Sequence, residues 1–270
     1  MSRHALAVAI VGAISLAAFQ AMAETTVKLH AASSLKAAMS EIADAYEART
    51  EIRVERNFGP SGLLRERIER GEAAEVFASA NMTHPTTLAS TGKALPVVLF
   101  ARNRLCALVQ PKIKVNSSTL LETILRDDIR VGTSTPKDDP SGDYAFELFD
   151  KAEAMSPGAT ARLKAKALKL TGGRDSEAAP EGRNKYGWIM ENKRADIFLT
   201  YCTNALLAKR EVSTLSIVQV PEPLAVGADY GLTVMNGASP DAFALALHIL
   251  SPKGQAILVY HGFDAPGFTH

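Results

Sequence analysis

The chain has 270 residues, 47% of them hydrophobic and 22% charged, with a formal net charge of +1. This is an ordinary globular composition, with length for one large domain or two of moderate size. A charge so near zero gives no reason to expect a nucleic acid or an anionic membrane surface as partner, so an anionic ligand would have to be drawn in by local dipoles.

Arg3 and His4 precede an apolar run from Ala5 to Phe19, and Ala21-Met22-Ala23 follows as an A-x-A cleavage site. The pattern predicts a secretory signal peptide over residues 1–23, cleaved after Ala23. The apolar run is short for a membrane span, and no lipobox cysteine stands beside the cleavage site, so a soluble periplasmic protein is expected. Cys106 and Cys202 are the two cysteines of the chain. Export permits a disulfide between them, two separately buried thiols are the other reading, and their spacing fits no metal motif.

Thr25 to His30 alternates, with Val27 and Leu29 on one face, and reads as a first strand. Ser34 stands directly before Leu35, Met39, Ile42 and Tyr46, which share one helical face as far as about Arg49. A second strand starts at Ile52 and Val54 and ends near Phe58. Leu63, Leu64 and Ile68 form a short helix stopped by Gly71, and Glu75 to Ala80 is a third strand. This strand–helix–strand–helix–strand order implies a parallel sheet with short crossovers. His84-Pro85 opens a small helix ending at Gly92. Val97 to Val109 is a long β-rich run interrupted by Arg102-Asn103-Arg104, long enough to pass from one lobe to another.

Beyond it, Leu120 to Leu125 predicts a helix, Ile129 to Gly132 a strand, Thr133 to Gly142 a loop, and Asp143 to Met155 and Thr160 to Leu170 two helices. A loop from Gly172 to Gly182 leads to a helix at Asn184 to Asn192, a buried strand at Asp196 to Tyr201, and a helix rich in Ala and Leu. Leu215 to Val220 and Tyr230 to Met235 read as strands, Asp241 to Leu250 and Ser251 to Tyr260 as helices. The βα alternation recurs on both sides of Leu105 and predicts two α/β lobes, residues 24–103 with 222–270 and residues 104–221.

Ser34 and Ser61 are the sharpest candidate site residues. The ordinary role of Ser before an apolar helix is the N-cap. Their pairing points further, because two strand-to-helix turns of successive βα units lie side by side at the carboxyl edge of a parallel sheet, where ligands of open α/β folds bind. Gly59 and Gly62 let the backbone approach such a ligand, and helix starts favour anions. In the second lobe, Arg183 follows a Gly-containing loop and precedes a helix, so its N–H can face an anion. Tyr201 ends a buried strand and carries a phenolic donor, or is a core aromatic.

Enzymatic motifs are lacking. Gly59-Pro60-Ser61-Gly62 is not a nucleophile elbow, and no P-loop or G-x-G-x-x-G occurs. His30, His84, His248, His261 and His270 form no H-x-x-x-H or H-E-x-x-H pair, so no metal cation or cofactor is expected. Asp138-Asp139 lacks EF-hand spacing and reads as a solvated turn. A secreted hydrolase acting through Ser34 or Ser61 needs a histidine in reach, and nothing aims His30, the nearest in sequence, at Ser34.

Ala31-Ala32-Ser33-Ser34-Leu35, Phe58-Gly59-Pro60-Ser61-Gly62, Ala74-Glu75-Val76-Phe77-Ala78-Ser79-Ala80 and Ala101-Arg102-Asn103-Arg104-Leu105, with Gly254-Gln255-Ala256-Ile257 and Gly262-Phe263, resemble the periplasmic molybdate-binding proteins of ABC transporters. The resemblance runs from Val27 to Phe263. It implies a type II two-lobe solute-binding fold, α/β with mixed, mainly parallel sheets and a hinge, and a monomer delivering molybdate or tungstate to an ABC permease without catalysis. It implies that neutral donors hold the oxyanion: the hydroxyls of Ser34, Ser61 and Tyr201 and main-chain N–H groups at Ala80 and Arg183. Asn81, where relatives usually carry Asp, Arg183, usually a small apolar residue, and Tyr201-Cys202-Thr203-Asn204 depart from the pattern. Arg183 could clamp an anion or equally face solvent as a salt-bridge or transporter contact, and the same fold tuned to another oxyanion or a small carboxylate is the alternative.

Overall fold

In the computed structural model, which describes residues 26–266, alternation of apolar positions places the first lobe's strands under helices. The signal peptide expected at residues 1–23 lies outside the described residues. Strands β1 (Thr26–Ala32), β2 (Arg53–Gly59) and β3 (Val76–Ser79) alternate with helices α1 (Lys36–Thr50), α2 (Ser61–Glu69) and α3 (Thr83–Ser90). β1 pairs in parallel with both β2 and β3. Met39, Ile42, Ala43 and Tyr46 of α1 are fully buried, as are Leu29 and Ala31 of β1, so the helical stripe read from the sequence is the face that meets the sheet.

The long β-rich run is a single strand, β4 (Val98–Val109). Its first part, Val98 to Arg104, pairs antiparallel with β9 (Gly227–Val234), itself antiparallel to β3. Its second part pairs antiparallel with β7 (Ile197–Tyr201) and β8 (Ser216–Gln219). The rest of the second half comprises α4 (Leu120–Leu125), β5 (Val131–Ser134), α5 (Pro140–Ala152), α6 (Ala159–Lys166), β6 (Leu168–Thr171), α7 (Lys185–Glu191) and α8 (Cys202–Glu211). Here β5 runs parallel to β6 and β7. Helices α9 (Pro240–Leu250) and α10 (Pro252–Tyr260) return to pack on α1. Along the path β2-β1-β3-β9-β4-β7-β5-β6, parallel pairings build each half and antiparallel ones join them, which makes the mixed α/β fold.

Two expectations are corrected. Thr160 to Leu170 is not one helix: α6 ends at Lys166 and Leu168–Thr171 is β6. The segment Leu168-Lys169-Leu170-Thr171 alternates with period two, and pairing with β5 satisfies its backbone. The predicted loop at Thr133 to Gly142 is shorter than read, since α5 begins at Pro140 with Asp139 as N-cap and Pro at the first helical position. Asp139 is therefore part of a helix start and not a solvated turn.

Cys106 of β4 and Cys202, the first residue of α8, form a disulfide with their Cα atoms 4.9 Å apart. The bond fastens the β7–α8 junction, directly after Tyr201, to the strand shared by both halves. It closes a loop across a separation of 96 residues. In urea unfolding, reduction or a double Cys106→Ser, Cys202→Ser substitution is expected to remove about 2–4 kcal/mol of stability, whereas superimposable curves with and without reductant would show that the bond contributes nothing.

Candidate functional site

Ser34 lies in a short 3-10 turn, Ser33–Leu35, between β1 and α1, and Leu35 occupies the N-cap of α1 without a side-chain bond. Its hydroxyl shares a 3.0 Å hydrogen bond with the Tyr230 hydroxyl. Ser61 is the first residue of α2, one position past the N-cap, and its Oγ accepts the Ala80 N–H at 3.0 Å. Neither serine caps its helix through its side chain. Both hydroxyls are bonded instead to groups far along the chain, Tyr230 of β9 and the Ala80 N–H directly after β3.

The second half meets these residues closely. The Gly62 N–H donates to the Asp138 carbonyl at 3.0 Å, and a Cβ on Gly62 would lie 2.3 Å from the Lys137 carbonyl oxygen, so glycine is what permits this approach. Tyr201 is fully buried and its hydroxyl donates to the Ala80 carbonyl at 3.3 Å. Its ring packs 5.6 Å from that of Tyr230. Asn103 of β4 donates to Thr203 Oγ1 at 2.8 Å and to the Tyr230 hydroxyl at 3.4 Å. A hydrogen-bonded belt thus runs from Ser34 through Tyr230 and Asn103 to Thr203.

Ser34, Ser61, Ala80 and Tyr201 line one small cavity of about 10 Å³. Three residues that the sequence did not single out as donors complete its wall: Asp139, Tyr186 and Asn204. Asp139 had a local signal, the Asp-Pro pair of a helix start, but nothing in sequence places that start against the cavity. Tyr186 sits in the first turn of α7, whose N-cap Asn184 accepts from the Gly187 N–H at 2.9 Å. Asn204 lies in the first turn of α8, three residues beyond Tyr201.

Arg183 is not brought into this cavity. Its guanidinium donates to Glu211 at 2.7 Å and to Glu191 at 2.6 Å, and these carboxylates hold its pKa above the usual arginine value. Its backbone N–H closes a turn onto the Pro180 carbonyl at 3.1 Å. Both groups that the sequence offered to an anion thus have other partners. Arg183 borders instead a wider cleft of about 650 Å³, which shares Ser33, Pro60, Asp139, Tyr186 and Asn204 with the cavity and also carries Lys36 and Lys185.

Burial sets the charge state of the wall. Loss of solvent pushes Tyr201 well above the ordinary tyrosine value, with Tyr230 adding to the effect, and pushes Tyr186 up likewise. Both phenols remain donors at any physiological pH. Asp139 is raised to about 6, again by loss of solvent, while the Ser141 N–H, the Ser134 hydroxyl and Lys185 pull the other way. The cavity is therefore walled by neutral hydroxyls, amides and one carboxyl poised near neutrality. Such a set suits an oxygen-rich anion. Among the described residues no cluster of His, Cys, Asp and Glu could hold a metal ion.

Residues 27–264 match the model of a family described as bacterial extracellular solute-binding protein. An uncharacterized protein of Pasteurella multocida is 36% identical over 206 residues, covering 76% of this chain and 85% of the relative. The periplasmic molybdate-binding protein of Azotobacter vinelandii superposes with a TM-score of 0.70 at 19% identity, over 89% of this chain and 99% of that one. The L-phospholactate-bound structure of PEB3 gives a TM-score of 0.68 at 15% identity, over 88% of this chain and 99% of that one; Peb3 comes from Campylobacter jejuni. At such identities the likeness shows the fold, which is the type II periplasmic binding fold. With the family model spanning nearly all of the described residues, the chain belongs to the bacterial extracellular solute-binding proteins.

Proposed function

We propose that the protein captures a tetrahedral oxyanion in the periplasm, molybdate and with it tungstate, and delivers it to the permease of an ABC importer without catalysing a reaction. The observation that carries this reading is the convergence of Ser34, Ser61, Ala80 and Tyr201, from both halves of the sheet, on one small cavity. These residues are the ones that the resemblance to molybdate-binding proteins implies, Arg183 excepted. Neutral donors suit cargo that must be released, because no full counter-charge has to be separated from it. A cavity of about 10 Å³ holds one water at most, so the cage has to widen to admit any oxyanion, and a widened cage of fixed donors spans molybdate and tungstate better than the smaller sulfate and phosphate.

The hydrolase reading finds no support at either serine. His30 Nε2 is paired with Glu72 at 2.8 Å, and Ser34 and Ser61 are bonded to Tyr230 and Ala80. One observation favours a different ligand: the cleft that opens onto the cavity has room for an organic group. An organic oxyanion would then seat its charged head in the cavity and its remainder between Lys36 and Lys185.

Calorimetric titration with molybdate, tungstate, sulfate, phosphate and a small organic phosphate separates the two readings. Micromolar or tighter binding of molybdate and tungstate, with the smaller ions far weaker, is the expected result. Tight binding of the organic phosphate alone would replace it. Ser34→Ala and Ser61→Ala are each expected to weaken molybdate binding by about 1–3 kcal/mol, through ligand oxygens left without donors. Unchanged affinity accompanied by a lower melting temperature would assign the two hydroxyls to the internal belt alone.

A further inference from the structure

We propose that Asp139 is the proton-bearing residue of the anion site: it enters the complex as a neutral carboxylic acid, donates its O–H to the ligand, and so couples capture of a dianion to uptake of one proton from solvent. The inference rests on the reading of the cavity as an oxyanion site and concerns a residue that neither the sequence pattern nor the resemblance assigns.

Asp139 lines the cavity together with Ser34, Ser61 and Tyr201, and its carboxyl lies near enough to the Tyr201 and Tyr186 hydroxyls for its charge to add to the burial that raises both. A carboxylate and a dianion cannot share so small an enclosure without strong repulsion, because little water is left between them to screen it. The carboxyl cannot simply swing away. Its Oδ1 accepts the Ser141 N–H at 3.0 Å as the N-cap of α5. On the other side, a Cβ on Gly172 would lie 2.5 Å from Oδ2, so a residue without a side chain is what gives the carboxyl its place. With Oδ1 engaged by an N–H, Oδ2 is the oxygen left to carry a proton. As an acid the group turns from a repelling charge into one more neutral donor, like the hydroxyls around it.

The groups facing Asp139 from each neighbouring element agree with this assignment. From its own helix come the Ser141 N–H and the charge of Asp143; from β5, the Ser134 hydroxyl; from α7, Lys185 and Tyr186; from β7, Tyr201. Lys185 favours the ionised form and Asp143 opposes it. Burial outweighs both, and the free carboxyl titrates at about 6. An incoming dianion stabilises the protonated form further, so the bound protein holds more protons than the free protein above that value. Affinity is then level below it and falls as the pH rises, toward a limit of about tenfold per pH unit.

The test is calorimetry of molybdate binding from about pH 6 to about pH 8.5 in buffers of different ionisation enthalpy, on the full chain and on Asp139→Asn, which keeps a cap acceptor and supplies a permanent N–H donor. The native protein is expected to take up about one proton as the pH passes above the carboxyl's value and to lose affinity steadily with rising pH. Asp139→Asn should bind with nearly constant affinity, overtaking the native protein at the alkaline end. Binding by the native protein without proton uptake overturns the proposal whether or not the variant folds. So does an Asp139→Asn protein with the native pH dependence. A native protein that prefers hydrogen phosphate, and loses it in Asp139→Asn, would make the carboxylate an acceptor and overturn it too. Absence of binding at every pH by molybdate and by the small organic phosphate alike would instead remove the oxyanion reading, and this inference with it.

Discussion

Strand β4 gives its first half to β9 and its second to β7 and β8, and the cavity lies where that change of partner happens. In register, Ala101 stands opposite Tyr230 and Leu105 opposite Tyr201. Four residues along one strand bring side chains back to the same face, so a single stretch of backbone sets the two tyrosines next to each other. Asn103, between those positions, ties Tyr230 to Thr203, and the Cys106–Cys202 bond fixes the chain just after Tyr201. Tyr201, Asn204 and Asp139 are located through elements that pair with or pack on this strand, and Tyr186 at one remove, through α7 on α8.

The first half contributes by simpler means. Parallel pairing of β1 with β2 and β3 brings three strand ends to one edge, and the turns after them carry Ser34, Ser61 and Ala80. The two contributions differ in kind. The first half offers short side chains and backbone; the second offers phenols, an amide and a carboxyl, of which only the carboxyl is raised toward neutrality.

The alternation of βα units, the buried face of α1 and the crossing by β4 were all legible in the sequence, because each rests on a local period or a local length. So were Ser34, Ser61 and Tyr201, which end strands or begin helices in a recognisable order. The β6 strand was not, since four residues of alternation are too few to outweigh a preceding helical run. Asp139 was visible as part of an Asp-Pro pair, yet its surroundings are set by the distant Gly172 against its carboxyl and by a cavity that it shares with Ser34 and Ser61. Between the two readings of Arg183, clamp or salt bridge, the sequence could not choose for the matching reason. A cation beside a glycine loop reads as an anion clamp until Glu191 and Glu211, from α7 and α8, are seen to hold it. Local patterns name the elements; long-range partners decide the chemistry of a side chain.

The peptide unit of Ala80 is held from both sides, its N–H by Ser61 and its carbonyl by Tyr201. Two of the donors that would meet an anion, the Ala80 N–H and the Tyr201 hydroxyl, therefore already have partners within the protein. Binding is an exchange of one set of hydrogen bonds for another, and each exchanged bond contributes only a modest net free energy. On the proposed function, release would be the same exchange run backwards, the Ala80 peptide unit taking back the Ser61 and Tyr201 hydroxyls that the cargo leaves.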